Sequence, residues 1–207
     1  MKNATKHAEA LKSLSKRLLR DAKPAAAEKQ EPLKALVRGA MSYDVADNRA
    51  EDAMKAIERE FVDLNELRVA TELEVQDLLG QRYPEIEKRV SMITSALNYI
   101  FEKEHTLSLE RLKTVKWREA RQFLKDIPDL HPFVEAYVAL YSFDGCAVPI
   151  DDETLEFLRE HDVVDGETNI VDAQKFLEHH LKADDCHPFF ASLRHAVFAQ
   201  EKSKKKK

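Results

Sequence analysis

The chain has 207 residues with only 4 glycines, 7 prolines and 2 cysteines, a composition that favours helices over a turn-rich sheet fold and a length that allows one sizeable core or two small lobes; with the helical stripes below, the expectation is an all-α protein. No run is apolar for long enough to span a bilayer and the N-terminus lacks the apolar core of a secretion signal, so the expectation is a soluble, cytoplasmic protein with no membrane partner. The formal net charge of −5 hides an asymmetry: residues 1–23 carry +5, the lysines at 202 and 204–207 another +5, and the body between them −15.

An acidic body repels phosphate at long range. Any affinity for double-stranded DNA is therefore expected in the basic ends, including Lys204, Lys205, Lys206 and Lys207, and should be weak and salt-dependent. A protein partner is the other expectation. Cys146 and Cys186 make neither a disulfide framework nor a metal-finger spacing, which fits a reducing compartment.

In chain order, the first element runs from Ala4 to about Asp21. Leu11, Leu14, Leu18 and Leu19 recur at helical spacing with lysines between them, so this helix either packs on the body or forms a basic arm that seeks DNA or a partner. A polar, proline-bounded linker follows over 22–32. Ala50, Ala53, Met54, Ile57 and Phe61 form one helical stripe, and Val90, Ile93, Leu97, Ile100 and Phe101 a second. Val134, Tyr137, Val138 and Tyr141 form a third. Shorter helices are predicted over Glu72–Leu79, Leu109–Val115 and Arg118–Lys125, with breaks at Gly80, Tyr83-Pro84 and Ile127-Pro128. The last helices fall near Asp152–Glu160, Val171–Leu181 and Phe189–Ala199.

Several of these pieces carry a family pattern. Met41-Ser-Tyr-Asp-Val-Ala-Asp-Asn-Arg-Ala-Glu-Asp-Ala-Met54 is similar to Leu-Ser-Gln-Asn-Thr-Ser-Asp-x-Asn-Ala-Glu-x-Ala. Ile127-Pro-Asp-Leu-His-Pro-Phe-Val-Glu135 parallels Leu-Pro-Gly-Val-Gly-Arg-Lys-Thr-Ala, and Pro149-Ile-Asp-Asp-Glu153 parallels Ala-Val-Asp-Thr-His. Phe189-Phe-Ala-Ser-Leu-Arg-His-Ala-Val-Phe-Ala-Gln200 resembles Leu-His-x-x-Leu-Ile-x-His-Gly-Arg-x-x-Cys. From Leu36 to about Ala199 the chain thus resembles the helix-hairpin-helix superfamily of DNA glycosylases, typified by endonuclease III.

The resemblance implies a two-lobed helical fold with a cleft between the lobes. Residues 1–35 would be the basic helix and linker, 36–145 a six-helix lobe ending in the hairpin, 146–200 a helical C-terminal lobe and 201–207 a lysine tail. The N-terminal helix would pack with the segment after Cys146. It also implies site residues. Asp151 aligns with the carboxylate that stabilises the transition state of N-glycosidic cleavage, while the residues alone read Asp151 equally as a helix N-cap.

Asp129, Leu130 and His131 stand in the phosphate-binding hairpin, Asp129 and His131 in place of its two glycines. The residues alone read this stretch as an ordinary helix start with Pro132 in the first turn. Tyr43 stands where the family places a glutamine that fills the gap left by a flipped base. Phe133 replaces the lysine nucleophile of the bifunctional members, so strand cleavage through a Schiff base is not expected. Gln200 stands in place of the first cluster cysteine, so no iron-sulfur cluster and no other cofactor is expected. His179, His180, His187 and His195 beside Cys186 fit no metal spacing.

Two functions follow from the resemblance. One is a degenerate glycosylase relative, with activity weak or lost, that binds DNA or protein. The other is an active monofunctional glycosylase using Asp151.

Overall fold

A computed structural model describes residues 4–26, 28–143 and 145–204, with side chains described from 5 to 200. The described residues form eleven α-helices, one 3-10 turn and no strand. They divide into two compact units, Lys29–Asp144 and a second that joins Met1–Glu28 with Gly145–Lys207.

The unit over Lys29–Asp144 contains α2 (Pro32–Ser42), α3 (Asp47–Glu60), α4 (Leu64–Val69), α5 (Glu72–Leu79), α6 (Ile86–Glu104), α7 (Trp117–Lys125) and α8 (Pro132–Ser142). These are seven helices where six were expected. Neither α2 nor α4 was among the expected helices, whereas the one expected over 109–115 is not α-helical; Asp63 starts α4 by accepting from the N–H groups of Asn65 and Glu66. Over 109–115 only the 3-10 turn Glu110–Lys113 forms. Several starts are set by local caps: Glu31 caps α2, Thr71 and Glu74 make a reciprocal capping box on α5, and His131 caps α8, whereas α3, α6 and α7 begin without a side-chain cap. The core lies on α8, where Phe133, Val134, Ala136, Val138 and Ala139 are fully buried. Here α2 approaches closely because Gly39 has no side chain; a Cβ there would stand 3.2 Å from Tyr137 Cβ.

The second unit contains α1 (Ala4–Ala22), α9 (Asp152–Glu160), α10 (Ile170–His180) and α11 (Ala183–Lys204). The first helix is a core element and not a free arm. It packs on α11, with Leu11, Leu14 and Leu18 buried, each such burial being worth about 1.5–3 kcal/mol. His7 Nδ1 meets the Asp162 carbonyl at 2.7 Å. Lys12, Lys16, Arg17 and Arg20 remain exposed on the opposite face. The final helix begins six residues before the expected start and carries Pro188 inside it. Burial of Phe189, Phe190, Leu193 and Val197 outweighs the one backbone bond that a proline removes.

The two cysteines correct their sequence reading. Cys146 and Cys186 form a disulfide, their Cα atoms 6.0 Å apart. No helix among the described residues is long and apolar enough to cross a membrane.

Candidate functional site

The hairpin joins α7 to α8 through residues 126–131. An ion pair staples the two helices, with Arg121 Nε donating to Glu135 Oε1 at 2.7 Å and both side chains largely buried. Asp129 is exposed at the tip and adopts a left-handed backbone, φ 56°. That conformation is the one glycine serves in the family pattern, and aspartate tolerates it better than most residues.

An anion site here would need backbone N–H groups pointing outward. Their partners lie inside the protein instead. The Leu130 N–H bonds to the Ile127 carbonyl, and the His131 N–H to Met92 Sδ at 3.4 Å. Pro132 carries no backbone N–H, and the Phe133 N–H donates to His131 Nδ1 at 3.1 Å. Histidine in place of glycine therefore fills the cradle with its own imidazole.

Tyr43 does not project into solvent. The residue is 4% exposed; its ring stacks on the His131 imidazole at 4.6 Å with a 6° interplanar angle and carries the Arg89 guanidinium 3.5 Å from its centroid. Arg89 is fully buried and donates to the carbonyls of Pro84, Ala40 and Tyr43 at 2.7, 2.6 and 2.8 Å. Burial pulls its guanidinium below the ordinary arginine value and pushes the Tyr43 phenol up. The result is a pillar of guanidinium, phenol and imidazole that pins the turn after α2 to the hairpin.

Asp151, in the other unit, is the N-cap of α9 and is 0% exposed. Its Oδ1 accepts from the Thr154 N–H at 2.9 Å and the Thr154 hydroxyl at 2.6 Å. Its own N–H donates to Thr154 Oγ1, closing a capping box. Its Oδ2 accepts from Arg194 at 2.8 Å, and that arginine is 2% exposed. Arg194 lies 4.6 Å over the Phe198 ring. The carboxylate is thus paired and shut away from water. Sequence reasoning missed Arg194, although its spacing of four from both Phe190 and Phe198 places it on the buried face of the helix.

Phe133 is buried in the core. The side chain at Lys204 and all of Lys205, Lys206 and Lys207 lie outside the described residues. Two cysteines joined to each other cannot provide the four thiolates of an iron-sulfur cluster. His180 bonds to the Phe176 carbonyl at 2.8 Å, and no three metal-ligating side chains come together among the described residues.

The fold is similar to that of solved DNA glycosylase structures: two all-helical units, with α7, hairpin and α8 in one and a capping aspartate opening a helix in the other. Three solved structures carry this conclusion. Endonuclease III trapped in a covalent intermediate with DNA matches with a TM-score of 0.68 at 11% identity, over 94% of this chain and 85% of that one. The Clostridium acetobutylicum 8-oxoguanine glycosylase/lyase in complex with double-stranded DNA matches at 0.71 and 16%, over 98% and 71%. The H. pylori 3-methyladenine DNA glycosylase bound to 1,N6-ethenoadenine matches at 0.67 and 15%, over 95% and 98%. At these identities the fold is what is shared. No family profile and no curated protein sequence matches the chain.

Proposed function

We propose that this protein is a non-catalytic relative of the helix-hairpin-helix DNA glycosylases, acting by association with DNA and protein and not by excision of bases. The observation that carries the reading is the Asp151 carboxylate, 0% exposed and paired with Arg194 at 2.8 Å. Base excision needs a carboxylate that reaches the sugar of a flipped nucleotide and remains charged opposite the developing cation. A carboxylate that is fully buried and already held in an ion pair with a guanidinium does not reach such a sugar, and its charge is offset before any substrate arrives.

Loss of the phosphate cradle to His131 and Pro132, and of an inserting side chain at Tyr43, supports the same reading. DNA association then rests on the exposed cations of α1 and the lysine tail, a sequence-independent attraction that falls steeply with salt.

The test is base release from duplexes holding uracil, alkylated or oxidised bases, with protein in excess. No release and no strand cleavage is the expected result. Release by the unaltered protein that disappears in Asp151→Asn, with the helical circular-dichroism signal retained, would overturn the reading and establish a monofunctional glycosylase.

A further inference from the structure

Residues 60–78 form an exposed apolar surface edged by carboxylates, and the site described above uses neither feature. Val62 is 93% exposed, Val69 67% and Leu73 65%; Phe101 and Val171 are the other exposed large apolar side chains among the described residues. An open groove of about 560 Å³ lies among the C-terminal end of α3, α4 and α5. Val69 and Leu78 contribute apolar wall, and Glu60, Glu66, Glu74 and Asp77 contribute carboxylates.

No lysine or arginine lines this groove. Arg68, on the same short helix, turns toward α6, where it donates to Asn98 Oδ1 at 3.0 Å and lies 4.3 Å over the Phe101 ring. Two of the carboxylates are fixed in place by the backbone. Glu66 accepts the Val62 N–H at 2.6 Å, and Glu74 accepts the Thr71 N–H and hydroxyl at 2.8 and 2.7 Å. The Thr71 bonds hold the Glu74 carboxyl below its ordinary range, so it is charged at neutral pH.

Left in water, such a surface keeps apolar side chains hydrated and like charges together. One kind of occupant relieves both: a helix with an apolar stripe for the groove and lysines or arginines for the four carboxylates. Duplex DNA is repelled by those carboxylates, and no strand edge is present among the described residues to receive an extended peptide. We infer that this groove docks a basic amphipathic helix of a partner protein.

The inference is independent of whether bases are released, so the two tests fail separately. The probe is a labelled synthetic helix with leucines on one face and lysines on the other, titrated against the full chain by fluorescence anisotropy. Saturable binding that weakens with salt is expected. The double substitution of Val69→Ser in the groove wall and Val62→Ser on the exposed apolar surface beside it should weaken it about tenfold, a loss typical of removing apolar anchors. Glu60→Gln with Asp77→Asn should weaken it comparably and flatten the salt dependence.

All four side chains are exposed, so circular dichroism should be unchanged. Several results would overturn the proposal: no binding, unchanged affinity in either double variant, equal binding of a scrambled peptide of the same composition, or displacement of the peptide by duplex DNA. Self-association of the chain that Val62→Ser and Val69→Ser abolish would seat a second copy in the groove and overturn it equally.

Discussion

Replacing Arg194 with methionine removes a guanidinium that is 2% exposed and leaves the fully buried Asp151 carboxylate without its partner at 2.8 Å. Breaking a buried pair from one side costs about 3–5 kcal/mol, because an uncompensated charge stays inside. The packing of Arg194 on the Phe198 ring adds about 1 kcal/mol. Methionine fills much of the vacated space, which keeps the packing loss small. Arg194→Met is therefore expected to lower stability by about 4 kcal/mol.

Asp151→Asn should cost about 3 kcal/mol by stranding Arg194 instead. The Thr154 cap is retained, since asparagine caps as well as aspartate. The double variant strands neither charge and should be at least about 2 kcal/mol more stable than the sum of the singles. Urea denaturation followed by far-UV circular dichroism, with an unchanged slope, measures all three. A loss below about 1 kcal/mol for Arg194→Met, or additivity within about 0.5 kcal/mol, would refute the buried pair and leave the carboxylate available for chemistry.

Other expectations concern the hairpin, the disulfide and the basic ends. Asp129→Gly relieves a left-handed backbone at φ 56° and should stabilise by about 0.5–1 kcal/mol in thermal denaturation. It should not raise DNA affinity, because the Phe133 N–H stays committed to His131. Cys146→Ser with Cys186→Ser opens a link between residues 40 apart, and should lower stability by about 4 kcal/mol on the chain-entropy relation; equal stability with and without reductant would count against the link. Removing residues 202–207 and changing Lys12, Lys16 and Arg17 to Gln should reduce the salt slope of DNA binding by about 0.9 for each phosphate no longer neutralised. Undiminished binding would move the DNA site into the body. The first helix itself must remain, since Leu11, Leu14 and Leu18 are core.

Features that one or two turns of chain decide were legible in the residues alone. The stripe through Val90, Ile93, Leu97 and Ile100 gives α6, and Glu72–Leu79 and Asp152–Glu160 form helices at their expected bounds. Periodicity and capping are local and lead to an all-α protein, and the resemblance of the four motifs implied the two-lobed fold. Left open were whether Asp151 caps a helix or faces a substrate, and whether the first helix packs or reaches outward.

The contacts that bear on those questions appear only in the folded chain, because the partners are far away in sequence. Asp151 meets Arg194 across 43 residues and Tyr43 meets Arg89 across 46, while Cys146 meets Cys186 across 40. A carboxylate acquires its role from what surrounds it: in water at a helix start it is a reactive anion, and under a buried guanidinium it is part of the core.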